Sequence, residues 1–522
     1  MSNQRRLQSA EHARRLFEQA VDMHRRGRLD DAEGRYRSIL RAYPNHPGTN
    51  HFLGVLWFQR GQRDEALKHI SAALESQPNN IAALVDRAFV LVNLRRFEEA
   101  LASYDQALAI QPDHFDALLN RGNILLELKR PEEALESYDR ALAVKPDSVD
   151  LLKNRAIVLT RLNRLDEALA TYDKALAIKP DYMDGLANRG SVLLALRRLD
   201  EARDNYNTIL GFKPGHPDAL SDRGWVELLQ GRYTEGWRDY ESRRELRKPP
   251  SHWPKWTGED LKGKRILVYE EQGLGDIVQG SRYLTLLAAR GAEVVFVVRA
   301  SLHRLLRPLE PAVRLVDKAP DREAFDFQSA LMSLPAGFGT TLETVPANSP
   351  YLRPEEPLVA RWRDQLGPQG FKVGICWQGN PDYKDEPGRS VPLRFFEPLA
   401  NIPGVRLISL QKRHGLDQLE SLPPGMRVET LPDFDEGSDA LVDTAAVMTS
   451  LDLVVTSDTS IAHLAGALGR PVWVALKHVP HWLWMLDRTD SPWYPTMRLY
   501  RQDIRGDWMT VFRAIADDLA KL

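Results

Sequence analysis

The sequence predicts a multidomain α+α/β chain, with an all-α array of helical hairpins in the first half and an α/β region built on parallel sheets in the second. Two observations carry this reading. Pro44, Pro78, Pro112, Pro146, Pro180 and Pro214 recur every 34 residues, mostly in the setting (Lys/Gln)-Pro-Asp or a close variant. After Pro254 that period gives way to short β-branched runs separated by helix-length segments.

Each repeat can be justified position by position. A small residue stands eight places into every unit (Ala20, Gly54, Ala88, Gly122, Ala156, Gly190, Gly224) and alanine at place twenty (Ala32, Ala66, Ala100, Ala134, Ala168, Ala202). Small side chains there let the two backbones of a hairpin approach each other. Tyr104, Tyr138, Tyr172 and Tyr206 are expected to fill the groove to the next unit, and the proline ends the second helix. The units run 13–46, 47–80, 81–114, 115–148, 149–182, 183–216 and 217–250, after an N-terminal extension over 1–12. In the last unit Gly236 replaces the alanine, and Arg243 stands where Ala107 and Ala141 stand earlier. A polar outer face that ends the solenoid is expected from this.

The pattern resembles the tetratricopeptide repeat, and the resemblance implies a superhelix with a curved binding surface. Fold alone does not name its ligand. One row is more informative. Asp86, Asn120, Asn154, Asn188 and Asp222 stand six places into their units, ~200° around the helix from the small residue, and should face away from the partner helix. Asn and Asp cost on the order of 0.5 kcal/mol each mid-helix against Ala, so the row suggests a use. The rival account is that duplicated repeats inherited the residue.

Composition narrows the class. Charged residues make up 27% and hydrophobic ones 43% of the 522 residues, and a net charge of -2 leaves no basic excess for nucleic acid. Cys376, the single cysteine, follows the apolar run Val373, Gly374, Ile375 and reads as a buried inert thiol in a reducing compartment. No segment approaches the roughly eighteen uninterrupted apolar residues of a spanning helix. Neither stable membrane insertion nor secretion is expected, and the expected location is the cytoplasm.

In the second half, strands are expected at Ile266–Tyr269, Val294–Val298, Val313–Val316, Lys372–Trp377, Val405–Leu410, Leu451–Thr456 and Pro471–Leu476. A linker over 251–264 precedes a first Rossmann-like lobe over 265–350, and the prolines Pro350, Pro354 and Pro357 open a second over 351–522. Two strand ends carry polar clusters. In ILVYEEQGLGDIVQGSRYL, Gly273 and Gly275 form a tight turn and Asp276 opens a helix; the third glycine of the dinucleotide fingerprint is missing, which disfavours nicotinamide chemistry. In LDLVVTSDTSIAHLAGALGRPVWVAL, a buried strand delivers Ser457, Asp458, Thr459 and Ser460 to the start of a helix carrying His463, a suitable anion seat.

GLGD together with SDTSIAHLAGALGRP resembles the heptosyltransferase-like glycosyltransferases of family nine, and LMSLPAGFGTT, GICWQGNP, SLQK and SPWYP resemble a subgroup in which that domain follows tetratricopeptide repeats. The resemblance covers about residues 255–522. It implies a GT-B pair of Rossmann-like lobes, acceptor side first and nucleotide-sugar side second. It also implies an inverting, metal-independent transfer from a nucleotide-sugar co-substrate, with no other cofactor. On matching positions it makes Asp276 the general base, with Gly275 beside it, and Asp458, Thr459, Ser460 and His463 the donor-binding motif. Ser460 departs from the family's usual glycine. Asn380 of the GNP segment, and Lys384 or Arg389 in the loop that follows, would meet the donor; both basic residues are available. Gln411 and Lys412 stand where heptosyltransferases carry a sugar-binding glutamate, so the resemblance does not extend to heptose.

The chemistry agrees with that assignment. Sugar transfer needs a base for the acceptor proton and fixed positive potential for the departing diphosphate. Each residue also has a plainer account: Asp276, Asp458 and Thr459 as helix caps, His463 as a buried satisfied histidine, and Trp482, Trp484 and Trp493 as lobe packing. Asp433-Phe434-Asp435 has the D-x-D form of a metal motif but lies in an Asp- and Gly-rich loop, and no metal site is expected there. The repeats fused ahead of such lobes resemble the architecture of the O-GlcNAc transferases, which implies a protein acceptor. Transfer to a lipid-linked or surface polysaccharide, and a non-catalytic repeat scaffold, are the alternatives.

Overall fold

The computed structural model describes residues 2–246, 252–320, 324–382 and 388–522. It divides into two compact units, Met1–Val192 and Leu193–Leu522. The first fourteen helices come in seven consecutive pairs: Ser2–Arg25 with Leu29–Ala42, Pro47–Gln59 with Arg63–Ser76, Ile81–Asn93 with Phe97–Ile110, Phe115–Glu127 with Pro131–Val144, Val149–Arg161 with Leu165–Ile178, Met183–Ala195 with Leu199–Phe212, and Pro217–Leu229 with Tyr233–Tyr240. The stretch expected as an N-terminal extension is helical from Ser2.

Within the first unit the small residues do what their size permits. A Cβ on Gly54 would stand 2.5 Å from Ile70 Cγ1, and one on Gly122 would stand 2.4 Å from the Tyr138 ring. Tyr138 therefore lies over the glycine of its own hairpin, where the sequence suggested the groove to the next one. The alanines at place twenty are fully buried. Successive hairpins are stitched by a series illegible as such in the sequence: Arg121, Arg155 and Arg189 donate from Nε to Asp105, Asp139 and Asp173 of the preceding hairpin at 2.6, 2.6 and 2.7 Å. The turn inside each hairpin passes through a left-handed residue at place fifteen. Gly27 and Gly61 fill it in the first two, while Arg95, Lys129 and Asn163 adopt φ of 57°, 58° and 59°.

The second unit begins inside the sixth hairpin. Tyr233, Trp237 and Tyr240 fall on one face of their helix and are buried in a cluster with Trp482 and Trp493. Trp237 Nε1 donates to the Thr340 carbonyl at 2.8 Å, and Trp493 Nε1 to the Tyr233 hydroxyl at 3.0 Å. This corrects the expectation of a polar terminal face. Arg243 is drawn inward, with Nη2 donating to Glu271 at 2.6 Å and Nη1 to Glu241 at 3.0 Å, and its guanidinium lies 4.3 Å from the Tyr240 ring centre.

Two all-parallel sheets follow. The first contains β1 (Arg265–Tyr269), β2 (Glu293–Val297), β3 (Val313–Val316) and β4 (Phe327–Ala330) in the order β3-β2-β1-β4. The second contains β5 (Phe371–Cys376), β6 (Val405–Ser409), β7 (Val428–Glu429), β8 (Leu453–Ser457), β9 (Val472–Leu476) and β10 (Met497–Arg501) in the order β10-β9-β8-β5-β6-β7. The order reverses between β1 and β4 in one sheet and between β5 and β8 in the other, and in such sheets ligands bind outside the carboxyl ends at the reversal. β8 and β9 are buried along their whole length, as strands covered on both faces must be. Strands β4, β7 and β10 were not legible because β4 carries Gln328 and Ser329, β7 is two residues long, and β10 is bracketed by Arg498 and Arg501.

Candidate functional site

The chain leaving β1 turns at Gly273 into the helix Leu274–Gly280, and the chain leaving β8 turns at Thr459 into the helix Ser460–Ala467. The two helix starts meet. A Cβ on Gly275 would lie 2.8 Å from His463 Cδ2 and 3.4 Å from Ser460 Cα, so glycine is what lets the helix after β1 approach the helix after β8 here. The structure thus brings together Gly275, Asp276, Asp458, Ser460 and His463 from two distant motifs.

Asp276 is the third residue of its helix and not its N-cap. The N-cap is Gly273, whose amide donates to Asp276 Oδ2 at 3.0 Å. Burial pushes the Asp276 carboxyl up to about 6; the Gly273 bond opposes this, and the negative charges of Asp458 and Glu271 add to it. Such a group is a carboxylate at neutral pH yet holds a proton far better than a surface aspartate.

Across from it, Asp458 and Thr459 are buried. Thr459 occupies the N-cap position but its side chain makes no capping bond; its hydroxyl lies 3.1 Å from the Thr456 hydroxyl and 3.8 Å from Cys376 Sγ. The capping account of Thr459 therefore finds no bond. Burial raises the Asp458 carboxyl, against the positive charges of Arg389 and Lys477 and the neighbouring Trp484 indole and His481 amide. His463 stacks on Trp484 with ring centres 5.2 Å apart, and its Nδ1 lies 3.1 Å from the Tyr494 hydroxyl. Burial, with the positive charge of Arg282 and Arg389 nearby, drives the His463 imidazole down to about 3, so the ring is neutral. His481 is pushed to about 3 for the same first reason, with Lys477 and Arg389 adding to it.

Arg389 is thus within electrostatic reach of Asp458, His463 and His481. Lys384 lies outside the described residues. Gln411 serves the frame: its Oε1 accepts from the Trp377 and Gln378 amides at 3.0 Å each, and its Nε2 donates to the Gln378 carbonyl at 2.8 Å. Lys412 Nζ donates to the Phe434 carbonyl at 2.6 Å. Asn380 is exposed and closes a turn by accepting from the Asp382 amide at 3.1 Å. Asp435 of the D-x-D sequence accepts from the Asp443 amide at 2.9 Å and from the Thr444 hydroxyl, and so tethers the start of the helix Val442–Met448.

Several residues escaped sequence reading. Arg282, 4% exposed, donates to the carbonyls of Gln279, Pro346 and Trp493 at 2.9, 3.1 and 2.6 Å, tying the helix it opens to the segment that precedes β10. Lys477 and His481 follow β9, whose end lies beside that of β8; the carboxyl-end rule applied to β9 would have found them.

The row from the repeats lies on the first helices of the hairpins. Asp86, Asn120, Asn154 and Asn188 are half-buried in the first unit, and Asp222 is exposed in the second. Asp86 Oδ2 lies 2.7 Å from His51 Nε2. Among the described residues the side chains of Asn120, Asn154 and Asn188 make no hydrogen bond.

The matching family models fall in the helical half. Residues 23–88, 85–143, 130–182 and 188–243 match tetratricopeptide repeat families. A curated relative, Protein FlbA of Caulobacter vibrioides, is 29% identical over 318 residues, covering 55% of this chain and 52% of its own; the chain spans about half the length of that relative. Solved structures with similar helices include a tetratricopeptide repeat protein from Parabacteroides merdae (22% identity, TM-score 0.34, 46% of this chain and 94% of that one). Others are YrrB, described as a TPR protein with an unusual peptide-binding site (22%, 0.31, 34% and 92%), and MamA (19%, 0.31, 33% and 94%). No helix among the described residues is long and apolar enough to cross a membrane. The N-terminal half of this chain is a tetratricopeptide-repeat array, and the C-terminal half an α/β region of two parallel sheets.

Proposed function

We propose that this chain is a glycosyltransferase of the GT-B kind, moving a sugar from a nucleotide-sugar donor to a protein acceptor selected by the repeats. One observation carries the reading. Asp276, whose pKa is raised to about 6, comes from one lobe and sits within electrostatic reach of Asp458 at the start of the facing helix in the other. A base and an anion seat, supplied by two lobes at their topological reversals, are what transfer from a nucleotide sugar requires.

In this mechanism the acceptor hydroxyl gives its proton to the Asp276 carboxylate as its oxygen attacks the anomeric carbon. The bond from that carbon to the diphosphate oxygen breaks, the electron pair leaves with the diphosphate, and configuration inverts. The amides at the start of the helix Ser460–Ala467, with Arg389 and Lys477, stabilise the developing charge. These groups supply the potential that a metal would otherwise provide. Neutral His463, held by Tyr494 and Trp484, presents a ring face or edge to the donor without adding charge.

The repeats support a protein acceptor through Asn120, Asn154 and Asn188, whose unpaired amides each offer a donor and an acceptor to a peptide backbone. The test is incubation of purified protein with a panel of nucleotide sugars and no acceptor. Slow hydrolysis of one donor is expected and names it. If no donor is cleaved and no nucleoside diphosphate raises the melting temperature, the scaffold reading replaces this one.

A further inference from the structure

The segment that follows β9 is gripped at both ends by residues of the tetratricopeptide hairpins. Arg197, the left-handed turn residue of the sixth hairpin with φ 57°, donates from Nε to the His478 carbonyl and from Nη2 to the Gln502 carbonyl, both at 2.9 Å. Gln502 is itself tied to the loop: its Oε1 accepts from the His478 amide at 3.2 Å, and its backbone amide donates to the Leu476 carbonyl at 3.0 Å. One hairpin later, Trp225 meets the His481 ring edge-on at 4.7 Å between centres. Gly231, the turn residue equivalent to Arg197, lies so near Met485 that a Cβ would stand 2.7 Å from its Cε. Two successive turns, at the same place in their repeats, thus hold the beginning and end of the segment 478–485. Arg501 closes the ring by donating to the Trp484 and Met485 carbonyls at 3.0 and 2.9 Å.

That segment is a wall of the site. It carries His481, whose amide neighbours Asp458, and Trp484, on which His463 stacks; Lys477, whose charge favours the ionised Asp458, immediately precedes it. The equivalent turn residues Arg95, Lys129 and Asn163 lie in the other unit. We infer that Arg197 is a positioning residue for the donor side of the site, so that the sixth and seventh repeats are part of the nucleotide-binding structure as well as of the repeat array. The inference rests on the reading of Asp458 and His463 as donor-binding residues. A forked guanidinium spanning two carbonyls is a role that lysine, with one point of charge, cannot reproduce.

The test compares Arg197→Ala and Arg197→Lys in the full chain with wild type and with Lys129→Ala, which alters the same turn position in an exposed setting. Two readouts are taken. One is the ring resonances of His463 and His481 in protein labelled at histidine Cε1, followed from neutral pH to about pH 5, where an ordinary imidazole is largely protonated. The other is calorimetric affinity for ADP, GDP, UDP and CDP. In wild type and Lys129→Ala both rings should stay neutral throughout. In both Arg197 variants His481 should titrate within that range, and the diphosphate that binds wild type best should bind roughly tenfold more weakly or worse, as misplacement of a site wall entails. If Arg197→Ala does not fold, Arg197→Lys decides. Histidine titrations and affinities equal to wild type in the Arg197 variants would overturn the inference. Should none of the four diphosphates bind wild type, the donor-site reading fails, while the His481 titration still decides whether Arg197 positions the wall.

Discussion

Gly275 and His463 stand 188 residues apart in the chain, yet a single added carbon on the glycine would come 2.8 Å from the histidine ring. The glycine backbone is not in the left-handed region, so the constraint is space alone. Gly275→Ala should therefore fold, because alanine suits a helix, but should push the two helix starts apart. Nucleotide protection against thermal unfolding should fall, along with turnover by roughly tenfold or more. A variant with unchanged diphosphate affinity would show that the approach of the two helix starts does not matter to the donor.

Asp276→Asn separates chemistry from stability. It removes the proton acceptor and should lower kcat by roughly 10²-fold or more with little change in donor affinity. In wild type, kcat should be lost as pH falls through about 6, the value to which the Asp276 carboxyl is raised. Stability moves the other way. The folded chain holds this proton more tightly than the unfolded chain, whose carboxyl has its ordinary value near 3.8, so Asp276 lowers stability as pH rises from about 4 through about 6. The variant should consequently be more stable than wild type at pH 7, by at most ~3 kcal/mol, with the advantage shrinking toward pH 4. Melting curves across that range check the sign.

Asn120, Asn154 and Asn188 replaced together by Ala should leave folding and acceptor-free donor hydrolysis intact. KM for a protein acceptor should rise several-fold, each lost backbone contact counting for roughly 0.5–1.5 kcal/mol. A native acceptor modified with unchanged kcat/KM would make the row an inheritance of duplication and would favour the polysaccharide acceptor.

Two glycines in equivalent helical hairpins should respond to alanine with opposite sign. At Gly122 a Cβ would stand 2.4 Å from the Tyr138 ring, and Tyr138 cannot retreat freely because it is fully buried with its hydroxyl donating to Asn123 Oδ1 at 2.7 Å. Gly122→Ala should destabilise by roughly 1–3 kcal/mol. At Gly211, in the helix Leu199–Phe212, an added Cβ meets nothing within 4 Å. Gly211→Ala should stabilise by roughly 0.5–1 kcal/mol through helix propensity alone. Chemical denaturation of the two variants decides.

The repeat array is legible without the fold, because every hairpin solves the same local problem. Period, small contact residues and helix-ending prolines all act within about 34 residues of one another, so their meaning does not depend on the rest of the chain. The sequence also disclosed the strands whose burial on both faces demands an unbroken apolar run, such as β8 and β9, and the polar residues at their ends. Tertiary structure decided what those polar residues are to one another. How tightly Asp276 holds a proton turns on its burial and on Asp458, a residue that follows a strand of the other sheet. Whether Gln411 meets a ligand or braces a loop turns on the Trp377 and Gln378 amides. The grip of Arg197 on His478 joins residues 281 apart. Ionisation and saturation of hydrogen bonds are set by neighbours in space, and between motifs so far apart only the folded chain supplies those neighbours.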